Sequence, residues 1–515
     1  MAGKSRLHNT VRNMSWHMIY QVLVMTLGVI LPKYIISVYG SEVNGLTSTI
    51  KHVLTLVTIV QAGLGTSATY LMYNPLEEND RVRIASLLQS IKKIYRIIAF
   101  AVAGIGFVVS AVLAFTVEGS IGGKYIFIAS FITCIDSSLS LYFTAACNLF
   151  LNAKQDKYII SVVTMITGVL NYGIQIIILL LKPTFLFLYF NNMFICILNI
   201  VILLIVFRKK YEPYKPTREE QNAVKTVPIP GVTYAAMNEA SHAAVYGMIT
   251  VVVSVMGSLK VASVLSVYTM VINLISTVST VAYTSFVPSY GSMVAEGNMS
   301  KTNRVFEIFQ FSFFALTTFL FMCTTVLIVP FVKIYTAGVM DAEYVNELLM
   351  ILCVVYGMFY AFRIPYNNTV SVTGLFKETC RQPVICSVIA IVLMFALTGI
   401  NYAFVMIGPV LFYVANTFYQ HFALKKLFPG FRNSHFWRHF AVSISGFLIA
   451  LGLYHAVPIS VASFGGWILY AMATAAVCGV ILLVLLVTID RPSLHLTYNF
   501  FKSKVFSKIY KRERG

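Results

Sequence analysis

Charge is scarce in this chain, and acidic charge is scarcest. Only 11% of its 515 residues are Asp, Glu, Lys or Arg, with 19 acids against 38 bases, while 58% are hydrophobic. With a mean hydropathy of +0.79, that excludes an ordinary water-soluble globule, which needs a charged surface. Motifs are missing too. No GxxxxGK[ST] loop is present to cradle nucleotide phosphates, so direct ATP drive is not expected. Neither HExxH nor GxSxG occurs, and no cofactor is expected. The eight cysteines form no CxxC pair and fall mostly inside apolar runs, so they read as small packing residues, with neither disulfides nor a metal site expected. The dyad alternation of a membrane β-barrel is absent. No cleavable signal peptide is expected either, since the polar, basic first dozen residues lead into an apolar run of full length.

Long apolar runs are what the chain has. About 14 stretches of roughly 19 to 25 residues are each long enough to cross a hydrocarbon core of about 30 Å. They fall near 15–36, 45–72, 97–116, 125–150, 158–181, 184–207, 229–255, 261–288, 308–332, 344–372, 382–399, 402–424, 439–457 and 464–488. Backbone in lipid must satisfy its own hydrogen bonds, so such runs are helices. The expected fold class is an all-α polytopic membrane protein of about 14 transmembrane helices, arranged as two pseudo-symmetric six-helix lobes plus two extra helices. The lobes are 1–207 and 229–425, separated by a polar, proline-bearing, basic linker at 208–228. Helices 13 and 14 follow within 439–488, and a basic tail occupies 491–515.

The pseudo-symmetry rests on landmarks repeated at nearly equal separations. Gly40-Ser41 precedes the second span and Gly257-Ser258 the eighth. Asn152 to Lys157 follows the fourth span and Thr373 to Glu378 the tenth. Both members of each pair fall on one predicted side, the pattern of a parallel repeat.

The net charge of +19 raises the question of nucleic acid, but its distribution answers against it. With the amino terminus taken as cytoplasmic, every Lys and Arg falls on the cytoplasmic side except Lys33, Lys51, Lys124, Lys182, Lys260, Lys333 and Arg363. That asymmetry is the positive-inside rule, and it predicts a multi-pass protein of the cytoplasmic membrane with both termini cytoplasmic. Two stretches read as interfacial helices on anionic lipid. In 80–98, Ile84, Leu87, Leu88 and Ile91 keep helical spacing among basic residues; in the tail, Phe500, Val505 and Ile509 alternate with lysines and arginines.

Ionisable residues within the spans carry the functional question, since a charge in lipid costs roughly 2.5–3.5 kcal/mol on insertion scales and so faces a cavity or a partner. Arg363 lies mid-span, two residues before Pro365, whose ring removes one helical hydrogen bond and bends the segment. Lys33, Lys51 with His52, and Lys260 lie toward the outer side, where they would line a positive cavity or snorkel to headgroups. Asp136 and Glu239 are the acids placed to pair with such cations or to couple transport to protons or sodium. Glu239 and His242 make a single ExxH, weak evidence for metal. A paired-bundle membrane protein without soluble domains reads as a transporter. A membrane-embedded polysaccharide enzyme is the weaker class, because the longest outer loop, near 333–344, is short.

Residues 34–76 read Tyr-Ile-Ile-Ser-Val-Tyr-Gly-Ser-Glu-Val-Asn-Gly-Leu, then Gln61-Ala62-Gly63-Leu64-Gly65 and Tyr73-Asn74-Pro75-Leu76. This stretch resembles the first two spans of bacterial polysaccharide flippases in the multidrug/oligosaccharidyl-lipid/polysaccharide exporter superfamily. The span count, linker position and two-lobe repeat extend the resemblance over the whole chain. It implies a V-shaped pair of lobes and alternating access for an undecaprenyl-pyrophosphate-linked oligosaccharide, with cavity cations holding the pyrophosphate. Arg363 and Lys51 are the positions matched to that role. Membrane lipids, and a polysaccharide polymerase or glycosyltransferases of the same pathway, are the implied partners. A lipid II flippase and a multidrug exporter of the same superfamily are the alternative readings.

Overall fold

The computed structural model describes residues 2–61, 64–117, 119–227, 232–284, 290, 299–373, 375–427, 433–457, 461 and 463–512. Gly63 and Gly374, and the side chains of the tail beyond Lys502, lie outside the described residues. No strand occurs among those described. The helices are α1 (Ala2–Tyr39), α2 (Ser41–Val57), α3 (Leu64–Glu78), α4 (Arg81–Thr116), α5 (Gly123–Ala153), α6 (Lys157–Leu181), α7 (Leu186–Tyr211), α8 (Val232–Met256) and α9 (Leu259–Thr284). They continue with α10 (Met299–Tyr335), α11 (Glu347–Phe362), α12 (Ile364–Thr373), a single turn at Phe376–Thr379, α13 (Arg381–Thr398), α14 (Ile407–Leu427), α15 (Asn433–Ala456), α16 (Phe464–Ile489) and α17 (Arg491–Arg512).

Among the described residues, thirteen helical spans are long and apolar enough to cross a membrane. The fourteenth expected span, 45–72, is present but broken: α2 ends at Val57, a 3-10 turn covers Thr58–Gln61, and α3 resumes at Leu64. The close pair 382–399 and 402–424 is separated as expected, with α13 ending at Thr398 and α14 preceded by a 3-10 turn at Tyr402–Met406. Large apolar side chains stand bare along these helices, among them Phe115 at 90% exposure and Leu180 and Leu181 at 75%. Water does not tolerate such a surface, whereas lipid tails do. This is a multi-pass membrane protein.

The chain divides into two compact units. The first comprises Met1–Val264 and Gly338–Ala342, the second Leu265–Ala337 and Glu343–Gly515. The helix α8, which opens the second lobe in sequence, thus belongs to the first unit. In that unit α4 packs along α5, and α5 against α7. One cluster gathers Ile84, Leu87, Leu88 and Ile91 of α4 with Phe150 of α5 and Phe207 of α7. The stretch 80–98 is therefore not an interfacial helix. It is the start of a continuous 36-residue helix, about 54 Å long at 1.5 Å per residue, and protein covers its apolar stripe. Asp80 caps it by accepting from Arg83 N at 2.9 Å. The linker lies across the same helix: Lys225 N and Val227 N donate to the hydroxyls of Ser86 and Ser90 at 3.2 and 2.7 Å. Within the linker, Thr217 and Glu220 exchange backbone-to-side-chain bonds as a capping box, which holds the Glu220 carboxyl below its ordinary pKa.

The second unit contains the spans most enclosed by protein. In Glu347–Val370 and Thr302–Tyr335, 72% and 67% of the most apolar window is buried, against 22% in Phe464–Ile489. A polar or charged side chain meets least lipid on α10 to α12. Spans α15 and α16 pack on α10 through Phe311, Met322, Val442, Cys478 and Leu482.

Candidate functional site

In the first unit, α2 carries Lys51 and His52. The chain enters this helix through Gly40, whose φ of 85° lies in the left-handed region that glycine alone adopts without strain. Asp341 caps the helix start, accepting from Ser41 N at 2.8 Å and from Ser41 Oγ at 2.6 Å. One face of α2 then packs on α8 and the beginning of α9 through polar contacts. Asn44 Nδ2 donates to Ser263 Oγ at 2.7 Å, the Thr49 and Ser254 hydroxyls bond each other, and His52 Nδ1 meets Tyr246 O at 2.9 Å. Small residues let the helices approach this closely: a Cβ on Gly45 would lie 1.8 Å from the Leu259 carbonyl oxygen.

The sequence-predicted cations of this unit separate into different surroundings. His52 is 5% exposed, and its ring stacks on Tyr246 with centroids 4.6 Å apart. Lys51, one residue earlier, points off the packed face and is exposed. Lys33 is half-buried on α1, just after Pro32. The half-buried Lys260 ammonium stands 4.0 Å from Glu42, whose carboxylate also accepts from Ser120 N and Oγ. Only Lys51 and His52 are neighbours.

The two predicted acids also differ. Asp136 is half-buried on α5, where Cys196 Sγ donates to its backbone oxygen at 3.5 Å. Its carboxylate Oδ1 is buried and finds no hydrogen-bond partner among the described residues. Glu239 is exposed on α8, whereas His242 of the same ExxH spacing is buried. The polar span residues Asn171 and Gln175 hydrogen-bond across helices, both to Asn192 Oδ1, at 3.1 and 2.7 Å, and Asn191 donates to Asn171 Oδ1 at 2.6 Å.

In the second unit, Arg363 occupies the turn between α11 and α12. The Pro365 ring interrupts the helix there as expected, yet Arg363 N still donates to Phe359 O at 3.3 Å and Asn367 N to Arg363 O at 2.9 Å. The side chain is 8% exposed. Its guanidinium carbon lies 4.7 Å from the Tyr360 ring centroid and 5.4 Å from that of Tyr413. Tyr360 and Tyr413 meet edge-to-face at 5.2 Å, and Tyr356 joins Tyr413 at 5.5 Å. An aromatic sleeve therefore holds the cation, each face contributing about 0.5–2 kcal/mol. Nearby, Gln310 of α10 donates to the buried Tyr366 hydroxyl, and the His421 ring lies 5.7 Å from that of Tyr366. Gln420, 1% exposed, has both amide atoms buried without a hydrogen-bond partner among the described residues.

Sequence reasoning overlooked one constellation. His435, His439 and Asp490 bring a ligand atom each within 4.8 Å of one another, the one such group among the described residues. Its visible signal was the His-x-x-x-His spacing at the start of the thirteenth span. The carboxylate comes from the far end of the fourteenth, which no local motif connects to it.

No protein-family model matches this chain, and no curated protein matches its sequence. Solved structures do match its shape. A structure described as "Lipid II flippase MurJ, inward closed conformation" aligns with TM-score 0.57 over 95% of this chain and 99% of its own, at 12% identity. An inward-facing multidrug resistance MATE family transporter of the MOP superfamily aligns with TM-score 0.53 over 86% of this chain and 98% of its own, at 13% identity. A MATE structure in complex with MaL6 gives TM-score 0.53, covering 87% and 96% of the two chains at 14% identity. The fold is the one these transporters share.

Proposed function

We propose that this chain is a flippase of the bacterial cytoplasmic membrane. It carries an undecaprenyl-pyrophosphate-linked oligosaccharide across the bilayer by alternating access, for capsule, exopolysaccharide or teichoic-type polymer assembly, with both termini in the cytoplasm. The observation that carries the reading is Arg363, a guanidinium enclosed in a span between Tyr360 and Tyr413. A planar cation of this kind suits a diphosphate, which it can grip through paired hydrogen bonds. In the first unit, Lys51 is the exposed candidate for such a role, with Lys33, Lys260 and the buried His52 as its further candidates. Asp136 or Glu239 is the position for ion coupling. A pathway polymerase or glycosyltransferase would receive the product. The likeness to a lipid II flippase over nearly the whole of both chains supports a lipid-linked substrate, and lipid II itself is the second reading. A drug exporter is disfavoured, because few acids lie in the spans to bind a cationic drug.

Reconstitution in liposomes with a fluorescent undecaprenyl-pyrophosphate oligosaccharide tests this. Transbilayer movement should appear with the purified protein and not with empty vesicles. Protein that moves lipid II but not the oligosaccharide establishes the second reading. Movement of neither, in protein that remains folded, overturns both.

A further inference from the structure

Spans α15 and α16 carry a buried cluster that the proposed transport route does not use. The opening turns of α15 place His435 and His439 four residues apart, on one face of the helix. At the other end of the cluster a single residue, Asp490, separates α16 from α17. Its backbone is satisfied, since Asp490 N donates to Leu486 O at 3.1 Å and Leu494 N donates to Asp490 O at 3.2 Å. Its side chain, at 0% exposure, faces His439, at 3%.

His439 Nε2 and Asp490 Oδ2 are only 2.9 Å apart. The contact is an ion pair when the imidazole is protonated. Both atoms, with Asp490 Oδ1, remain buried without a hydrogen-bond partner among the described residues. Burying a carboxylate is costly unless a charge or hydrogen bonds compensate it, and beside Asp490 one ligand atom each from His435 and His439 lies within 4.8 Å. The phenyl rings of Phe311 and Phe314 lie 5.7 and 5.6 Å from the His439 ring and shield it from water. Ser493 Oγ meets His435 Nδ1 at 2.7 Å, as a hydrogen-bonded neighbour orients a metal-bound imidazole. Ser443 Oγ donates to His439 O at 2.9 Å and bonds Thr318 of α10, fixing that turn of α15.

We propose that His435, His439 and Asp490 bind one divalent transition-metal ion, zinc by preference. Two imidazoles and a carboxylate suit zinc, cobalt or nickel, whereas magnesium and calcium require mostly oxygen ligands. In a tetrahedral zinc site with bonds of about 2.0–2.1 Å, ligand atoms stand roughly 3.3 Å apart. The widest separation in the triad, 4.8 Å, closes by about 1.5 Å of side-chain movement to reach that spacing. The ion would neutralise Asp490, leave a fourth position for water, and clip the start of the basic helix α17 to the head of α15.

The full chain, purified without a chelator and with a tag free of histidine, tests this by metal analysis and by titration of the EDTA-treated protein with Co2+. About one zinc per chain should be retained, and Co2+ should give the visible bands of a four-coordinate ion. The near-isosteric Asp490→Asn and His439→Gln should each weaken Co2+ binding by tenfold or more, and Ser493→Ala by roughly tenfold, the scale of a lost outer-shell partner. Wild-type protein that neither retains zinc nor shows cobalt bands overturns the proposal, whatever the variants do. Equal binding by wild type and Asp490→Asn overturns it as well. None of these measurements depends on transport, so the flippase reading can fail while the metal site stands.

Discussion

Arg363 concentrates the residue-scale question of why a cation is kept inside an apolar span. Taking it out of water costs several kcal/mol, and the Tyr360 and Tyr413 faces are among the contacts that offset it. As the proposed grip on the diphosphate, its guanidinium carries the interaction that a substitution removes. Arg363→Ala should therefore lower oligosaccharide movement in liposomes at least tenfold. Arg363→Lys should recover only part of it, because an ammonium keeps the charge but loses the planar fork and the stacking. Full activity in Arg363→Ala would remove the residue from the route. This cation was legible in the sequence because a lone charge within an apolar run stands out. The pairing of His439 with Asp490 was not, since the two residues open and close a helical hairpin and meet only once it has folded. Nor could the sequence tell that His52 packs on Tyr246 while Lys51 is exposed. Adjacent positions on a helix differ by about 100°, and only the placement of α8 decides which of them is covered.

At the scale of elements, glycine positions with opposite surroundings give predictions of opposite sign. At Gly45 an added methyl would strike the Leu259 backbone carbonyl, with the oxygen 1.8 Å and the carbon 2.7 Å away. Backbone cannot rotate aside as a side chain can, so Gly45→Ala should destabilise by about 1–3 kcal/mol. Gly28, mid-helix in α1, has nothing within 4 Å of the same added atom. Gly28→Ala should be neutral or stabilising by up to about 1 kcal/mol, through helix propensity. Thermal unfolding in detergent reads both, and equal shifts would refute the close approach of α2 and α9. Leu88 offers a second comparison. At 2% exposure within the α4–α5–α7 cluster, Leu88→Ala should cost about 2–5 kcal/mol, while Phe115→Ala on the lipid-facing surface should cost little. An interfacial helix would show the reverse insensitivity at Leu88. The periodicity of 80–98 could not settle this, because an apolar stripe has the same spacing whether lipid or protein covers it. Span number and order were legible because bilayer thickness fixes helix length. The break at Thr58–Gln61 was legible only in part: the adjoining Gly63-Leu64-Gly65 reads as a flexible or a closely packed point, and packing is the commoner reason for such glycines.

For the whole molecule, the proposed cargo fixes the sign of a further effect. A lipid diphosphate carries about two negative charges, and moving them outward across 100 mV, inside negative, releases about 4.6 kcal/mol. If cations fixed to the protein hold the headgroup only in passing, the translocated charge is that of the cargo, and the membrane potential alone suffices as drive. Coupling through Asp136 would add to this drive without being required by it. Liposomes loaded with potassium and treated with valinomycin should then show an initial rate that rises with an inside-negative potential and falls when the polarity is reversed. Asp136→Asn should retain the voltage response if the potential is the main drive, and should lose most of the movement if Asp136 carries the coupling ion. A rate indifferent to the imposed potential in wild type would mean that a co-moving cation neutralises the diphosphate. The buried, unbonded Oδ1 of Asp136 would then be the first position at which to seek it.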